Sequence, residues 1–234
     1  MTSPNPTATE SFELARFNMI EQQIRPWEVL DAQVLALLAQ VRREDFAPQA
    51  HRALAFADME LPLTQPAVDG QVMLAPRVEA RLLQDLTIKP TDKALEVGAG
   101  SGHMASLLAG LAQRVVSLEI DDDLARMARD NLQRVGIANA SVRLADACAQ
   151  DFAACRTQAP WDVILLSGSV AEVPSALLSL LAPDGRLMAI VGQEPMMRAT
   201  LITRTGDATY ATAQPWDCVV PRLLNFPEPS RFRF

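Results

Sequence analysis

A glycine-rich turn constrains the fold more than any other part of the chain. Gly98, Gly100 and Gly102 occupy alternate positions directly after the short apolar run Lys93–Val97. The 234-residue chain has only 10 glycines, so three within five residues indicate a local demand on the backbone. Glycine permits a tight strand-to-helix turn and the close approach of a ligand to the main chain. We therefore predict a buried strand, a turn, and a helix whose N-terminus faces a small molecule.

From residue 93 onwards, segments typical of strands alternate with segments typical of helices. The predicted strands are 93–97, 114–119, 140–145, 161–166 and 185–191, and the predicted helices are 102–112, 122–135, a short one within 147–154, and 174–181. Such alternation implies right-handed crossovers and a parallel sheet with helices on both faces. Two further strands, 198–205 and 209–218, are joined by Gly206-Asp207, which is typical of a hairpin. We therefore predict an α/β fold whose mostly parallel sheet ends in an antiparallel C-terminal hairpin.

The first 90 residues have a different pattern, with helices and prolines in place of regular alternation. Helical spacing of apolar residues is found over 11–24, 31–41 and 76–86. Three prolines between residues 42 and 70 interrupt regular structure. We expect three parts: a flexible tail over 1–10, an N-terminal helical region over 11–90 and an α/β core over 91–234. The helical region and the core should form one structural unit.

Composition argues against several classes of function. The net charge of −7 argues against nucleic acid as a partner, because phosphate binding requires a basic face. The chain has two histidines, and its three cysteines form no CxxC pair, which argues against a metal site. The N-terminus lacks the apolar core of a signal peptide, and no apolar run approaches the ~20 residues of a membrane span. We expect a cytoplasmic protein that binds neither metal nor membrane.

Two classes of nucleotide ligand are compatible with a glycine-rich turn. A dinucleotide fingerprint has its third glycine at the sixth position, which, counted from Gly98, is His103. The observed spacing, preceded by Glu96, instead matches the Glu-x-Gly-x-Gly-x-Gly pattern of S-adenosylmethionine-dependent methyltransferases. Glu119 ends the next predicted strand, where a carboxylate can accept hydrogen bonds from both ribose hydroxyls. Asp146 follows the third strand, where an acidic acceptor suits the amino group of adenine.

This pattern gives a set of candidate cofactor-binding residues at the carboxyl ends of the first three core strands. They are Glu96, Gly98, Ala99, Gly100, Ser101, Gly102, His103, Glu119, Ile120, Asp146 and Ala147. Each acidic residue also has a purely structural interpretation, as a surface or helix-cap carboxylate for Glu96, a helix-start acid for Glu119 and an N-cap for Asp146. His103 could touch the cofactor or act as a general base, but we favour packing over the methionyl end.

Several segments outside the glycine-rich turn resemble one family of methyltransferases. Together with that turn they are Met-Ile-Glu-Gln-Gln-Ile at 19–24, Val-Arg-Arg-Glu-Asp-Phe-Ala-Pro at 41–48, Ala57-Asp58, Leu-Pro-Leu at 61–63, Leu-Glu-Val-Gly-Ala-Gly-Ser-Gly at 95–102 and Val-Val-Pro-Arg-Leu at 219–223. On these segments, residues 16–224 resemble the protein-L-isoaspartate O-methyltransferase family. The resemblance implies a Rossmann-like, seven-stranded methyltransferase sheet, with residues 11–90 as an N-terminal helical cap and acceptor region and residues 91–234 as the cofactor-binding core. It implies S-adenosyl-L-methionine as methyl donor and S-adenosyl-L-homocysteine as product. It also implies the repair of damaged proteins by methylation of isoaspartyl carboxylates.

One segment departs from the pattern of that family. The family usually has Gly-Gln-Thr-Ile-Ser-Gln-Pro before the helix that precedes the first core strand, whereas residues 70–76 here are Gly-Gln-Val-Met-Leu-Ala-Pro. The family's serine hydroxyl lies near the transferred methyl group, and Leu74 occupies its position. Leucine can neither donate nor accept a hydrogen bond, so a carboxylate beside it loses one partner. The sequence therefore leaves the catalytic residue unassigned, because the family's serine position is Leu74.

The departure leaves the methyl acceptor open. Candidate acceptor-site residues are Gln71, Leu74, Ser167, Ser169 and Arg222. The favoured partner is a protein or peptide that bears isoaspartate, bound by a monomer or a homodimer. One alternative is a methyltransferase for a different, less polar acceptor such as a small molecule. The other is a non-catalytic S-adenosylmethionine-binding protein.

Overall fold

The computed structural model describes residues 8–228, with side chains described from Ser11 onwards, and its centre is a seven-stranded sheet. A separate two-stranded sheet precedes it, so that the strands in chain order are β1 Leu61–Pro62, β2 Val72–Met73, β3 Lys93–Val97, β4 Arg114–Glu119, β5 Ala140–Leu144, β6 Trp161–Val170, β7 Leu181–Gln193, β8 Met196–Arg204 and β9 Tyr210–Asp217. The order across the main sheet is β5-β4-β3-β6-β7-β8-β9. Neighbours from β5 to β7 are parallel, whereas β8 is antiparallel to both β7 and β9. The predicted fold class, including the antiparallel C-terminal hairpin, is confirmed.

Helices precede the main sheet and connect its parallel strands. They are α1 Ala8–Met19, α2 Ala32–Gln40, α3 Pro76–Leu86, α4 His103–Leu111, α5 Asp122–Arg134, α6 Ala149–Arg156 and α7 Ser175–Leu178. Their starts follow from the local sequence. The Asp31 carboxylate accepts the main-chain N–H groups of the first turn of α2, and Asp121 does the same for α5. Pro76 begins α3. Proline lacks an N–H group, and the first residue of a helix has no acceptor within the helix for such a group.

Both faces of the main sheet are covered, as the apolar runs of its strands predict. In β3, Ala94 belongs to the core on one face, whereas Leu95 and Val97 belong to the core on the other. The first of these cores also contains Ile24 of the N-terminal region and Leu108 of α4. The N-terminal region therefore packs on the same side of the sheet as α4, next to the glycine-rich turn.

Most element bounds lie within a few residues of the predicted ones, and three differences matter for the fold. The first helix begins at Ala8 instead of residue 11 and passes into a π-helical turn over Ile20–Ile24, while residues 1–7 of the predicted tail lie outside the described residues. Strand β6 continues beyond residue 166 because Ser169 pairs with the C-terminal segment. Helix α7 is short because Leu181 already belongs to β7. Over residues 8–228, every helix is too short or too polar to cross a membrane.

Candidate active site

A cleft of about 440 Å³ lies at the carboxyl ends of β3 to β6. Open α/β sheets bind ligands at this edge, because the strand ends there are followed by turns and helix N-termini. The cleft brings together nine of the residues singled out in the sequence, namely Gln71, Gly98, Gly100, Glu119, Ile120, Asp146, Ala147, Ser167 and Arg222. The C-terminal segment, through Leu223, Leu224 and Phe226, forms another part of its wall.

The glycine-rich turn has the left-handed backbone that its composition predicts. Gly98, Gly100 and Gly102 have φ values of 94°, 52° and 83°. A Cβ atom on Gly100 would lie 3.1 Å from Leu63 Cδ1, so glycine also permits the close approach of the N-terminal region. Gly102 lies apart from the cleft, and a Cβ atom there would lie 3.1 Å from the main-chain oxygen of Ala128 in α5. The role of Gly102 in the structure is therefore the packing of α4 against α5.

Glu119 is fixed in the wall of the cleft by the main chain. Its Oε2 accepts the N–H of Gly100 at 2.8 Å, and its Oε1 accepts the N–H groups of Ile120 and Asp121 at 2.8 and 3.1 Å. A carboxylate oxygen can accept two hydrogen bonds, so Oε2 retains one acceptor position. Main-chain groups therefore fix the carboxylate, which can still accept one hydroxyl.

Asp146 is held between two segments that are far apart in the sequence. Its Oδ1 accepts the N–H of Cys148 at 2.9 Å, and its Oδ2 accepts Nδ2 of Asn225 at 2.8 Å. The N-cap residue of α6 is Cys148, so Asp146 is not the N-cap of that helix. Asn225 is a site residue that sequence reasoning missed, because nothing near position 225 signals a contact with the end of β5.

A small recess of about 30 Å³ lies beneath the glycine-rich turn and shares Val72, Gly98, Gly100 and Ser167 with the cleft. Its other lining residues are Met73, Leu74, Glu79, Glu96, Ala99, Ser101, His103 and Met104. The ribose and adenine candidates thus lie at the cleft, and the methionyl candidates Glu96 and His103 lie at the recess. Of the acceptor candidates, Leu74 lines the recess alone and Ser167 lines both.

Glu96 is completely buried at the edge of the recess. Its carboxylate accepts the hydroxyl of Ser117 at 2.6 Å and that of Ser167 at 2.8 Å. Burial raises the pKa of Glu96 to about 7, because removal from water disfavours the charged form more than the two hydroxyls favour it. Glu96 is therefore a buried acid that titrates near neutral pH, and the structure excludes the surface interpretation of this residue.

A buried ion-pair network closes the other side of the recess. The guanidinium of Arg43 donates to Glu79, and Nδ1 of His103 lies 3.0 and 3.1 Å from the two carboxylate oxygens of Glu79. Burial acts to raise the pKa of Glu79, but the charges of Arg43 and His103 outweigh it and hold that pKa below its usual value. The ring of His103 also meets Phe46 edge-on, with centroids 5.3 Å apart. His103 therefore lies at the recess as part of this buried network.

Sequence reasoning missed both Arg43 and Glu79. Arg43 lies in the family-like segment 41–48, which was the available signal. Glu79 occupies the buried face of α3 among apolar side chains, and a carboxylate in such a position requires a charged partner. Arg43 also donates to the main-chain oxygens of Ala55 and Leu74 at 2.9 and 2.6 Å. It thereby fixes the backbone at the residue that departs from the family pattern.

The remaining acceptor candidates occupy different environments. Ser169 lines neither the cleft nor the recess, because its hydroxyl donates to the main-chain oxygen of Val220 at 2.9 Å and holds the C-terminal segment against β6. Gln71 lines the cleft and donates to Asp121 Oδ2 at 3.1 Å. Arg222 lines the cleft, donates to the main-chain oxygen of Gly192 at 2.9 Å and pairs with Glu228 at 3.0 Å. The structure thus keeps Gln71 and Arg222 at the cleft and removes Ser169 from it.

Comparisons with known proteins identify relatives along nearly the whole chain. The family model for protein-L-isoaspartate(D-aspartate) O-methyltransferase matches residues 15–220. A protein-L-isoaspartate O-methyltransferase from Koribacter versatilis is 37% identical over 215 residues, which cover 92% of this chain and 93% of that protein. A protein of the same name from Methanoculleus marisnigri is 36% identical over 192 residues, covering 82% and 84%.

Solved structures show the same fold at lower identity. A Plasmodium falciparum protein assigned as a protein-L-isoaspartate O-methyltransferase, solved in complex with S-adenosyl-L-homocysteine, has a TM-score of 0.72 and 20% identity. The similarity covers 90% of this chain and 98% of that one. A second protein-L-isoaspartate O-methyltransferase structure has a TM-score of 0.75 at 19% identity, and the match covers 90% of this chain and 67% of that one.

Proposed function

This chain belongs to the protein-L-isoaspartate(D-aspartate) O-methyltransferase family, and from this membership and the geometry of the cleft we propose that it transfers a methyl group from S-adenosylmethionine to the carboxylate of isoaspartyl residues in damaged proteins. The methyl ester then eliminates methanol through a succinimide, which allows partial repair. The observation that carries the proposal is the match of residues 15–220 to the family.

The charge of the cleft supports a cationic cofactor. Glu119, Asp121 and Asp146 line the cleft together with Asp69, and Arg222 is the single cation among the lining residues in the described part of the chain. A carboxylate at position 119 would repel a ribose phosphate, whereas S-adenosylmethionine carries its methyl group on a positively charged sulfur. The residues present therefore fit this cofactor better than a phosphorylated dinucleotide.

The arrangement of polar groups supports a role for each part of the site. We assign a ribose hydroxyl to Glu119, whose Oε2 has one free acceptor position. We assign adenine to Asp146 and Ala147 at the other end of the cleft. The methionyl end then faces the glycine-rich turn, with Glu96 and His103 at the recess behind it. These assignments use the cleft and the recess as one continuous site.

An isoaspartyl acceptor brings its own nucleophile to the site. A carboxylate is already a nucleophile and needs no general base, so the protein has to position it and to exclude water. Ser167 lines both the cleft and the recess, but its hydroxyl already donates to Glu96 at 2.8 Å, so Ser167 serves the site by holding Glu96 in place. A second candidate function, methyl transfer to a less polar acceptor, is favoured by one observation, the buried side chain of Leu74 in the wall of the recess.

Methyl transfer from labelled S-adenosylmethionine to an isoaspartyl peptide, compared with its normal aspartyl twin, tests the proposal. We expect label on the isoaspartyl peptide alone. If S-adenosylhomocysteine raises the melting temperature but neither peptide is labelled, the acceptor is different, and the Leu74→Ser variant tests whether a hydroxyl restores the reaction. If S-adenosylhomocysteine leaves the melting temperature unchanged, the cofactor assignment is wrong.

Three further parts of the proposal concern the setting in which the protein works. We place it in the cytoplasm, acting on proteins or peptides as a monomer or a homodimer. We treat the cap over residues 11–90 and the core over 91–234 as one unit. Contacts across residue 90 support this, since Arg43 and Glu79 meet His103 within a buried network.

A further inference from the structure

Two Asp-Gly dipeptides occur in the chain, at Asp69-Gly70 and Asp184-Gly185, and there is no Asn-Gly dipeptide. In an Asp-Gly sequence the glycine amide nitrogen can attack the aspartyl side-chain carbonyl carbon, because glycine has no Cβ to shield that nitrogen. The attack closes a succinimide ring and expels one water. Hydrolysis of the ring consumes one water and gives either aspartate or isoaspartate, in which the main chain continues through Cβ. The net change is an isomerisation that needs only water.

The structure separates the two dipeptides. Residues 65–70 are all exposed, and a Cβ atom on Gly70 would have only Pro221 Cβ, at 3.8 Å, within 4 Å. Gly185 lies within β7, and a Cβ atom there would lie 2.8 Å from the main-chain oxygen of Ala182 and 2.9 Å from that of Trp161. Ring closure requires the backbone around the aspartate to rotate. The open turn at Asp69 permits this rotation. Asp184 is also exposed, in a bulge of β7, but the close packing of Gly185 against two main-chain oxygens opposes the rotation there.

Asp69 and Gly70 both line the cleft. They are the central residues of a turn in which the N–H of Gln71 donates to the main-chain oxygen of Val68 at 3.1 Å. We propose that Asp69 forms isoaspartate spontaneously in the wall of the cleft, and that the damaged residue is a methyl acceptor for a second copy of this chain. The second half of this proposal rests on the proposed function, whereas the first half does not.

Isomerisation at Asp69 changes the cleft because it adds one atom to the main chain within a hydrogen-bonded turn. Gln71 is the last residue of this turn. Its main-chain oxygen accepts the N–H of Leu63 at 2.9 Å, and its side chain donates to Asp121 at 3.1 Å. Asp121 lies two residues after Glu119, which is the last residue of β4. A displaced Gln71 therefore alters the wall of the cleft beside Glu119, and the damaged protein binds cofactor more weakly.

Peptide mapping of the aged, full-length protein tests the first half of the proposal. After incubation at 37 °C and neutral pH, we expect isoaspartate at position 69 to exceed that at position 184 about tenfold, which corresponds to about 1.4 kcal/mol. The rise in melting temperature with S-adenosylhomocysteine should shrink as the isomer accumulates. The Asp69→Glu variant, aged in parallel, keeps the charge but would have to close a larger ring, so its response should persist. Equal isomerisation at both positions, or an equal loss in Asp69→Glu, overturns the proposal.

Labelled S-adenosylmethionine and a small amount of fresh wild-type protein test the second half on the same aged samples. We expect label at position 69 of the aged wild-type chains and none there in the aged Asp69→Glu chains. Absence of label at position 69, while a standard isoaspartyl peptide is methylated, refutes the self-acceptor role alone. Absence of label on the standard peptide refutes the proposed function, while the isoaspartate map still decides whether Asp69 is the damage site.

Discussion

Replacement of Arg43 by methionine tests the buried network that joins the N-terminal region to the recess. The side chains of Arg43 and Glu79 are 3% and 5% exposed. The Arg43→Met change removes the cation and leaves Glu79 with His103 as its remaining partner in the network. It also frees the main-chain oxygens of Ala55 and Leu74, which Arg43 contacts in the native protein.

The expected loss of stability follows from an uncompensated buried charge. Removal of one partner of a buried ion pair costs about 3–5 kcal/mol. For a chain of 150–250 residues this lowers the melting temperature by about 6–20 °C. Replacing both partners with apolar residues is often neutral, so the double variant Arg43→Met/Glu79→Leu should recover part of the loss.

The dependence of this loss on pH has a definite sign. In the native protein the pKa of Glu79 is lowered, so its contribution to stability is present above its unfolded-state pKa of about 4.3 and is lost as the pH falls through the folded-state pKa. Without Arg43, burial is opposed by His103 alone, and we expect the pKa of Glu79 to rise above the unfolded value. The carboxyl group then takes up a proton at low pH, so the difference in unfolding free energy between native and variant protein should be smaller at pH 5 than at pH 8.

Urea denaturation of the native, single-variant and double-variant proteins at pH 5 and pH 8 measures the loss of stability in Arg43→Met, its recovery in the double variant, and the dependence of the loss on pH. The reasoning is refuted if Arg43→Met costs less than about 1 kcal/mol, since even a partly screened buried pair should exceed that. It is also refuted if the loss is the same at both pH values, because the cost would then arise from packing and not from a buried charge.

Three further variants test the cleft and the acid behind it. S-adenosylhomocysteine at 100 times its dissociation constant should add about 2.7 kcal/mol to the free energy of unfolding and raise the melting temperature by about 5–11 °C; Glu119→Ala should abolish most of this rise, and an undiminished rise would place the ribose elsewhere. Asn225→Ala should weaken S-adenosylhomocysteine binding about three- to tenfold in calorimetry, because Asp146 loses a hydrogen bond that orients it; unchanged affinity would show that Asn225 has no role in the site. The pKa of Glu96 is raised to about 7, so the native protein should lose about 3 kcal/mol of unfolding free energy as the pH rises from 5 to 8. Glu96→Gln should not show this loss in urea denaturation. Parallel pH profiles of the two proteins would contradict the raised pKa.

Features that depend on local sequence could be predicted. The strands β3 and β4 begin and end at the predicted residues, because apolar runs bounded by glycine or acidic residues are local patterns. The proximity of Glu119 and Asp146 follows from the parallel order of β3, β4 and β5, since the carboxyl ends of neighbouring parallel strands meet at one edge.

Features that depend on distant pairs could not be predicted. Arg43 and Glu79 are 36 residues apart, and Asp146 and Asn225 are 79 residues apart. No periodicity or motif near one member of such a pair indicates the other. Ser169 was a candidate because it follows an apolar run, but the C-terminal segment pairs with β6 and draws Ser169 into the sheet.

The hydrogen bonding of Glu96 at the recess depends on the register of the sheet. Glu96 in β3 pairs with Ser117 in β4, and the hydroxyl of Ser117 is one of its two hydrogen-bond donors. A shift of register by one residue would place Val116 or Leu118 opposite Glu96 and would turn Ser117 to the other face. The buried carboxylate would then lose a donor in an apolar environment, where an unsatisfied charged group is most costly. The register that places Ser117 opposite Glu96 therefore keeps this buried carboxylate hydrogen-bonded.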